Sequence, residues 1–241
     1  MLPEETSSDG PIYRHEQREP EGELARGDEA LIQEVTAHVE AYIGPVDVVF
    51  HEIASTYVHV DVHHIAPTPE RPWHVLVTSG MSARPMTTPP ELPPDWRHAE
   101  LLVSLPAEWK LSAEAFEDER NYWPVRALKQ LARLPHEYGT WLGYGHTVPN
   151  GDPPEPYADN TKLSGMIVLP PLSLPESVHR LVRPNGDVVR FWSLVPLYAE
   201  EMDFKLKEGS DALLEKLGEA GVGDVVAPSR KNVVAKKLWP F

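Results

Sequence analysis

The chain has no cysteine among its 241 residues. Disulfides, thiolate metal sites and cysteine nucleophiles are therefore excluded. The absence fits a reducing compartment without requiring one, since secreted bacterial proteins also do without cysteine. Basic residues are scarce as well: 22 Lys and Arg stand against 37 Asp and Glu, a formal net charge of −15. Phosphate binding needs a basic face, so no nucleic-acid partner is expected. The one local basic cluster, Arg230, Lys231, Lys236 and Lys237, reads as a solvated face. No apolar run approaches the roughly 20 residues that cross a bilayer. The first 23 residues lack a basic stretch followed by an apolar one, so no signal peptide is expected and the cytoplasm is the expected location.

What the chain does have is proline: 26 residues, about twice the usual share. They cluster at Pro67–Pro72, Pro89–Pro94 and Pro149–Pro156, where fixed φ angles and missing donors describe long, stiffened surface loops. The hydrophobic content of 41% and charged content of 24% are those of an ordinary globular protein. A domain of about 250 residues buries roughly three quarters of the surface its unfolded chain exposes, so folding requires no metal.

Residues 1–23 are polar and almost without apolar periodicity, which predicts a disordered acidic tail ahead of a single domain over 24–241. Asp28 is placed to cap a helix to about Tyr42, with Leu31, Val35 and Val39 on one stripe, and Gly44-Pro45 stops it. Strands are expected at 46–53, 57–65, 73–78 and 100–105. The second alternates, with Val58, Val60 and Val62 on one face and His59, Asp61 and His63 on the other. Pro124 suits a first helical position, and that helix is expected to end near Leu134-Pro135. A buried strand follows at 165–169. Strands at 178–183 and 188–195 flank Pro184-Asn185-Gly186-Asp187, a strong hairpin signal. Two short helices close the core, the second capped by Ser210. This order favours an α+β fold with a mainly antiparallel, mixed central sheet flanked by helices.

His59, Asp61 and His63 are the first candidates for chemistry. Side chains two apart on a strand lie about 7 Å apart on one face, so this set, with His51 and His74 nearby, could hold a metal for hydrolysis. The competing reading is the solvent-facing polar side of an amphipathic strand, which needs no metal. His136-Glu137 lacks a second histidine at helical offset, so it makes no zincin motif. Ser79 and Ser82 lack the flanking glycines of a nucleophile elbow. Gly139, Gly143 and Gly145 fit neither a P-loop nor a dinucleotide fingerprint. Glu200 and Glu201 are adjacent on a helix and point about 100° apart, so they form no acid–base pair. No catalytic set, cofactor or small-molecule substrate is expected.

Three stretches carry a family likeness: Trp73–Ser82 running on to Met86, Leu142-Gly143-Tyr144-Gly145-His146-Thr147, and Phe191–Met202. Together with His59–Val62 they resemble the Suppressor of fused domain family in its bacterial form, over roughly residues 28–221. The animal relative is a cytoplasmic regulator that clamps an extended peptide of a transcription factor between two domains, and this chain has no room for the second. The resemblance implies a non-catalytic protein-binding domain. Bacterial members are associated with immunity against toxin domains, so a cognate toxin is the expected partner. A regulatory scaffold without a toxin partner and the metal-dependent hydrolase remain as alternatives. The region from Tyr144 to Asp159 corresponds to the part that meets peptide in the animal protein. Within it Tyr144 is the implied aromatic anchor, His146 a polar contact and Asp159 a charge.

Overall fold

The computed structural model describes residues 12–19, 25–52 and 55–235. Asp28 opens helix α1 (Glu29–Tyr42), its carboxylate accepting from Leu31 N at 3.1 Å, which satisfies one of the helix's free donors. Four strands follow, β1 (Val46–Phe50), β2 (Asp61–Ile65), β3 (Trp73–Ser79) and β4 (His98–Pro106), then helix α2 (Glu119–Tyr138). Strands β5 (Thr147–Pro149), β6 (Gly165–Leu169), β7 (Arg180–Val182) and β8 (Val188–Leu197) complete the sheet before helices α3 (Ala199–Glu208) and α4 (Ser210–Glu219).

The strands lie in the order β1-β2-β3-β4-β8-β6-β5, with β7 paired to the start of β8. All ladders are antiparallel except β4–β8, where His98 pairs Val189 and Leu102 pairs Ser193. The α+β class with a mainly antiparallel mixed sheet is therefore the observed one. The two-residue period of the strands sorts their side chains into two layers. Leu101, Val103, Leu105, Trp192 and Leu194 pack with α2 through Trp123, Leu128 and Leu131. On the other face Val75, Val77, Leu102 and Phe191 meet α1, while Ile167, Val195 and Leu197 meet α3 and α4 through Met202, Leu213 and Leu217. Both faces are thus covered, and β1 and β5 are the two edges.

Several local expectations are corrected. The strand expected over 57–65 begins only at Asp61. Upstream, side chains take the backbone's bonds: Glu52 accepts from Val60 N at 3.0 Å, and Ser55 Oγ donates to Val58 O. Nor is its polar face solvated, since every residue of β2 is buried. Helix α2 starts five residues before Pro124 because Asp118 accepts from Arg120 N at 2.9 Å. It passes Pro135, whose carbonyl takes Gly139 N and Thr140 N, and stops at Gly139 with φ +61°, a left-handed cap that glycine adopts without Cβ strain. Ser210 is the first residue of α4 rather than its cap, which is Gly209 with no side-chain bond. Strand β5 was not expected at all. Of the N-terminal stretch, residues 1–11 and 20–23 lie outside the described residues. Residues 12–19 form neither helix nor strand, and Arg18 N donates to Glu137 O at 2.8 Å.

The C-terminal segment is tied back into the sheet. Val226 N donates to Ser104 O at 2.9 Å beside a bridge between Ser104 and Val225. Glu201 is fully buried, and Arg230 grips both its oxygens at 2.7 and 2.5 Å. Tyr198 N and Val233 N complete that carboxylate's partners at 3.0 and 2.9 Å. Arg230 is therefore not part of a solvated basic face. Lys236 and Lys237 of that cluster lie outside the described residues.

Candidate functional site

The stretch Thr78-Ser79-Gly80-Met81-Ser82 leaves β3 and turns through a short 3-10 helix, Met81–Ala83. Its purpose is visible in Glu100 on β4, which is fully buried. Gly80 N and Ser82 N donate to Oε1 at 2.9 and 3.0 Å, and Ser82 Oγ does so at 2.6 Å. Thr78 Oγ1 donates to Oε2 at 2.6 Å. Burial pushes the carboxyl up from the usual range, and these four donors pull it part of the way back. Gly80 has φ +121°, and a Cβ there would lie 1.8 Å from the His59 carbonyl oxygen. The turn is a framework around an internal carboxylate and offers no nucleophile to solvent.

The His59, Asp61 and His63 set has similar internal obligations. Asp61 Oδ2 meets His51 Nδ1 at 3.1 Å, while Oδ1 takes Glu52 N at 3.0 Å and faces His59 Nε2 at 3.2 Å. His63 is buried with Nε2 2.8 Å from Ser79 Oγ. Burial lowers its pKa, against the pull of the nearby Asp61 carboxylate. His74 pairs with His64 instead, Nδ1 to Nε2 at 2.8 Å. Among the described residues no three His, Asp or Glu side chains converge in a way that would hold a metal ion. His136 sits in α2 with Nε2 2.9 Å from Met81 O, and burial pushes its pKa down to about 4.

Tyr144, His146 and Asp159 lie along the strand edge and loop around β5. Tyr144 is 44% exposed, on the approach to the strand. His146 leans edge-on against Trp141, ring centroids 4.2 Å apart. Burial lowers its pKa, and Lys205 adds to the effect. Asp159 keeps 82% of its side chain exposed and stands 3.9 Å from Arg120. The three do not converge on a point. Arg120 opens α2 and Trp141 follows its last turn, so a 20-residue helix, about 30 Å long, separates the two anchors. They mark out a line instead.

Strand β5 supplies the backbone of that line. It is the last strand of the order, with no strand beyond it among the described residues. Val168 N donates to His146 O at 2.9 Å. The antiparallel alternation then turns Val148 toward β6 and leaves Thr147 and Pro149 facing outward. Proline has no N–H, so the outer edge presents one donor, Thr147 N, and two carbonyls. Proline at an edge limits uncontrolled strand addition. The loop beyond carries Asp152, Glu155 and Asp159, all exposed.

The chain is an α+β domain whose buried carboxylates and histidines serve internal contacts, with an acidic loop beside a short open edge. The family description Suppressor of fused protein (SUFU) matches residues 56–231, well over half of the chain, and the chain belongs to the Suppressor of fused family. Among solved structures it is similar to a SUFU homologue from Neisseria gonorrhoeae FA 1090, at 18% identity and TM-score 0.63, covering 86% of this chain and 98% of that one. A chain from the Sufu–Fu complex shares 15% identity at TM-score 0.57, with 88% and 93% covered. Drosophila Suppressor of Fused matches at 14% identity and TM-score 0.54, over 87% of this chain and 52% of that one. At these identities the likeness is one of fold. No curated protein matches the chain. Among the described residues no helix is long and apolar enough to cross a membrane.

Proposed function

We propose that the chain is a non-catalytic binding domain that takes an extended, basic segment of another protein along the β5 edge and the loop to Asp159. The observation that carries this reading is the line itself: an exposed aromatic, Tyr144, one open strand and an exposed acidic loop in sequence. A single outward N–H makes a long added strand unfavourable, so side-chain contacts supply most of the selectivity. A surface with a net charge of −15 speeds encounter with a basic partner through field complementarity. That the Sufu–Fu relative was solved in a complex supports a protein as ligand.

The more specific reading is an immunity protein whose acidic face masks the basic site of a cognate bacterial toxin domain. It is supported by the bacterial branch of the family resemblance and by the charge. The test pairs the chain with the product of the neighbouring toxin-like reading frame, in a growth-protection assay and by calorimetry. Tyr144→Ala combined with Asp159→Lys should weaken binding by about tenfold or more, since a buried aromatic anchor contributes upwards of about 2 kcal/mol. Its melting temperature should stay within about 2 °C of wild type, because both side chains are exposed. Unchanged affinity in that variant defeats the assigned surface. Full toxicity in the presence of wild-type chain defeats the immunity reading.

A further inference from the structure

Residues 12–19 lie against the body without helix or strand structure, and Arg18 and Arg14 are two of their anchoring points. Arg18 N donates to Glu137 O at 2.8 Å, and Tyr57 Oη donates to Arg18 O at 2.7 Å. The Arg18 guanidinium rests on Gly139, where any Cβ would lie 1.9 Å from its Nη2. Four residues upstream, Arg14 stands 3.8 Å from Asp152 in the acidic loop. Four residues span at most about 14 Å, and through these two contacts the segment links the C-terminal end of α2 to the loop that follows β5. An arginine at a helix C-terminus is also favoured by the helix dipole.

Much of this segment stays exposed. Ile12 and Tyr13 remain 54% and 59% exposed, so it buries little of its apolar surface. Both partners of the Arg14–Asp152 pair are mostly exposed, which makes that pair weak. The His15 Nδ1 atom is buried with no hydrogen-bond partner among the described residues, a cost rather than a gain. A cleft of about 270 Å³ stays open beside Arg18, Tyr57, Arg84 and His136. Packing of this kind suits a ligand that leaves.

We propose that residues 12–19 are a displaceable self-ligand, occupying a groove from Gly139 to Asp152 that accepts an extended segment with two arginines four residues apart. The partner's basic segment competes for this groove with the chain's own. The inference rests on the reading of the β5 loop as the interaction surface only through Asp152. The groove itself stands on the Arg18, Tyr57 and Gly139 contacts. A tethered segment acts at an effective concentration in the millimolar range, so even weak self-binding holds off a dilute partner.

The test uses the full chain carrying Arg14→Ala and Arg18→Ala, titrated with a fluorescein-labelled synthetic peptide of residues 11–19. The expected result is peptide binding at least tenfold tighter than to the wild-type chain, lost when both arginines of the peptide are alanine. Gly139→Ala should weaken binding of the same peptide to the double-variant chain and, in the otherwise wild-type chain, speed hydrogen exchange at the Arg18 amide, because its Cβ must displace the guanidinium. Equal affinity for wild-type and double-variant chains, or no binding to either, overturns the proposal. Peptide that binds as expected yet leaves capture of the toxin-like partner untouched upholds the self-ligand and removes the β5 loop from the partner's path.

Discussion

Replacing Glu100 by alanine should cost the fold more than any single surface change, and the reason can be counted in atoms. The substitution leaves Gly80 N and Ser82 N without an acceptor in a site that is fully buried. Ser82 Oγ also loses its partner, whereas Thr78 Oγ1 retains Leu101 O at 3.3 Å. A buried donor left unpaired costs about 1–3 kcal/mol, so the two amides alone set a loss of about 2–6 kcal/mol. For a chain of this size each kcal/mol lowers the melting temperature by roughly 2–4 °C, hence a fall of roughly 5–20 °C. Glu100→Gln should be far milder, within about 1 kcal/mol near neutral pH. Its oxygen can take the three donors now at Oε1, and its amide can donate to Thr78 Oγ1. The two variants also separate by pH. The Glu100 carboxyl is raised in the folded state, so the folded protein binds that proton more readily than the unfolded chain does. Stability that depends on it is complete below the ordinary carboxylate range, near pH 4, and declines as pH rises. Wild-type stability measured against Glu100→Gln should therefore fall between pH 4 and pH 7. Urea unfolding followed by the fluorescence of the seven tryptophans reads both effects. A Glu100→Ala variant within about 1 kcal/mol of wild type would show that these amides find other partners, and a wild-type advantage over Glu100→Gln that grows with pH would contradict the raised carboxyl.

Two further perturbations probe other buried polar groups. Arg230→Ala strands the fully buried Glu201 carboxylate and should cost about 3–5 kcal/mol. Adding Glu201→Gln should recover about 1–3 kcal/mol of this in a double-mutant cycle by urea unfolding, and strict additivity would contradict the pairing. His136 is pushed down to about 4 in the fold, so its contribution is complete above the ordinary histidine value near 6.5 and is lost as pH falls toward 4. Wild type should lose up to about 3 kcal/mol over that window that His136→Gln retains. Matched losses in unfolding titrations at pH 7 and pH 4.5 would count against it.

The elements legible in the sequence are those whose own periodicity decides them. The Leu31, Val35 and Val39 stripe with its Asp28 cap, the apolar run 165–169 and the hairpin around Asn185-Gly186 need no tertiary information to be read. What escaped depends on distant partners. Residues 57–60 alternate as a strand should, yet Gly80 presses against the His59 carbonyl and Glu52 holds the Val60 amide. Glu201 looks like an ordinary first-turn acid until Arg230, 29 residues away, closes on it. Three-residue β5 has no period to detect, since its pairing comes from β6. A Gly- and Pro-rich stretch leaves open whether Tyr144 is exposed or packed, and it does not show His146 leaning on Trp141 or Asp159 beside Arg120. The internal bonding of Asp61 and His63 likewise lay beyond a pattern of alternating letters.

The parallel β4–β8 ladder has a consequence for how the chain is made. Its partners, such as His98 and Val189, stand about 90 residues apart. A ribosome adding roughly 5–20 residues per second completes β8 some 5–20 s after β4 has emerged. Throughout that interval the middle of the sheet has a naked flank of nine mostly apolar residues, open to any other nascent strand. Slow or stalled synthesis between these two segments should therefore favour aggregation or chaperone capture, even for a sequence whose finished form is well packed.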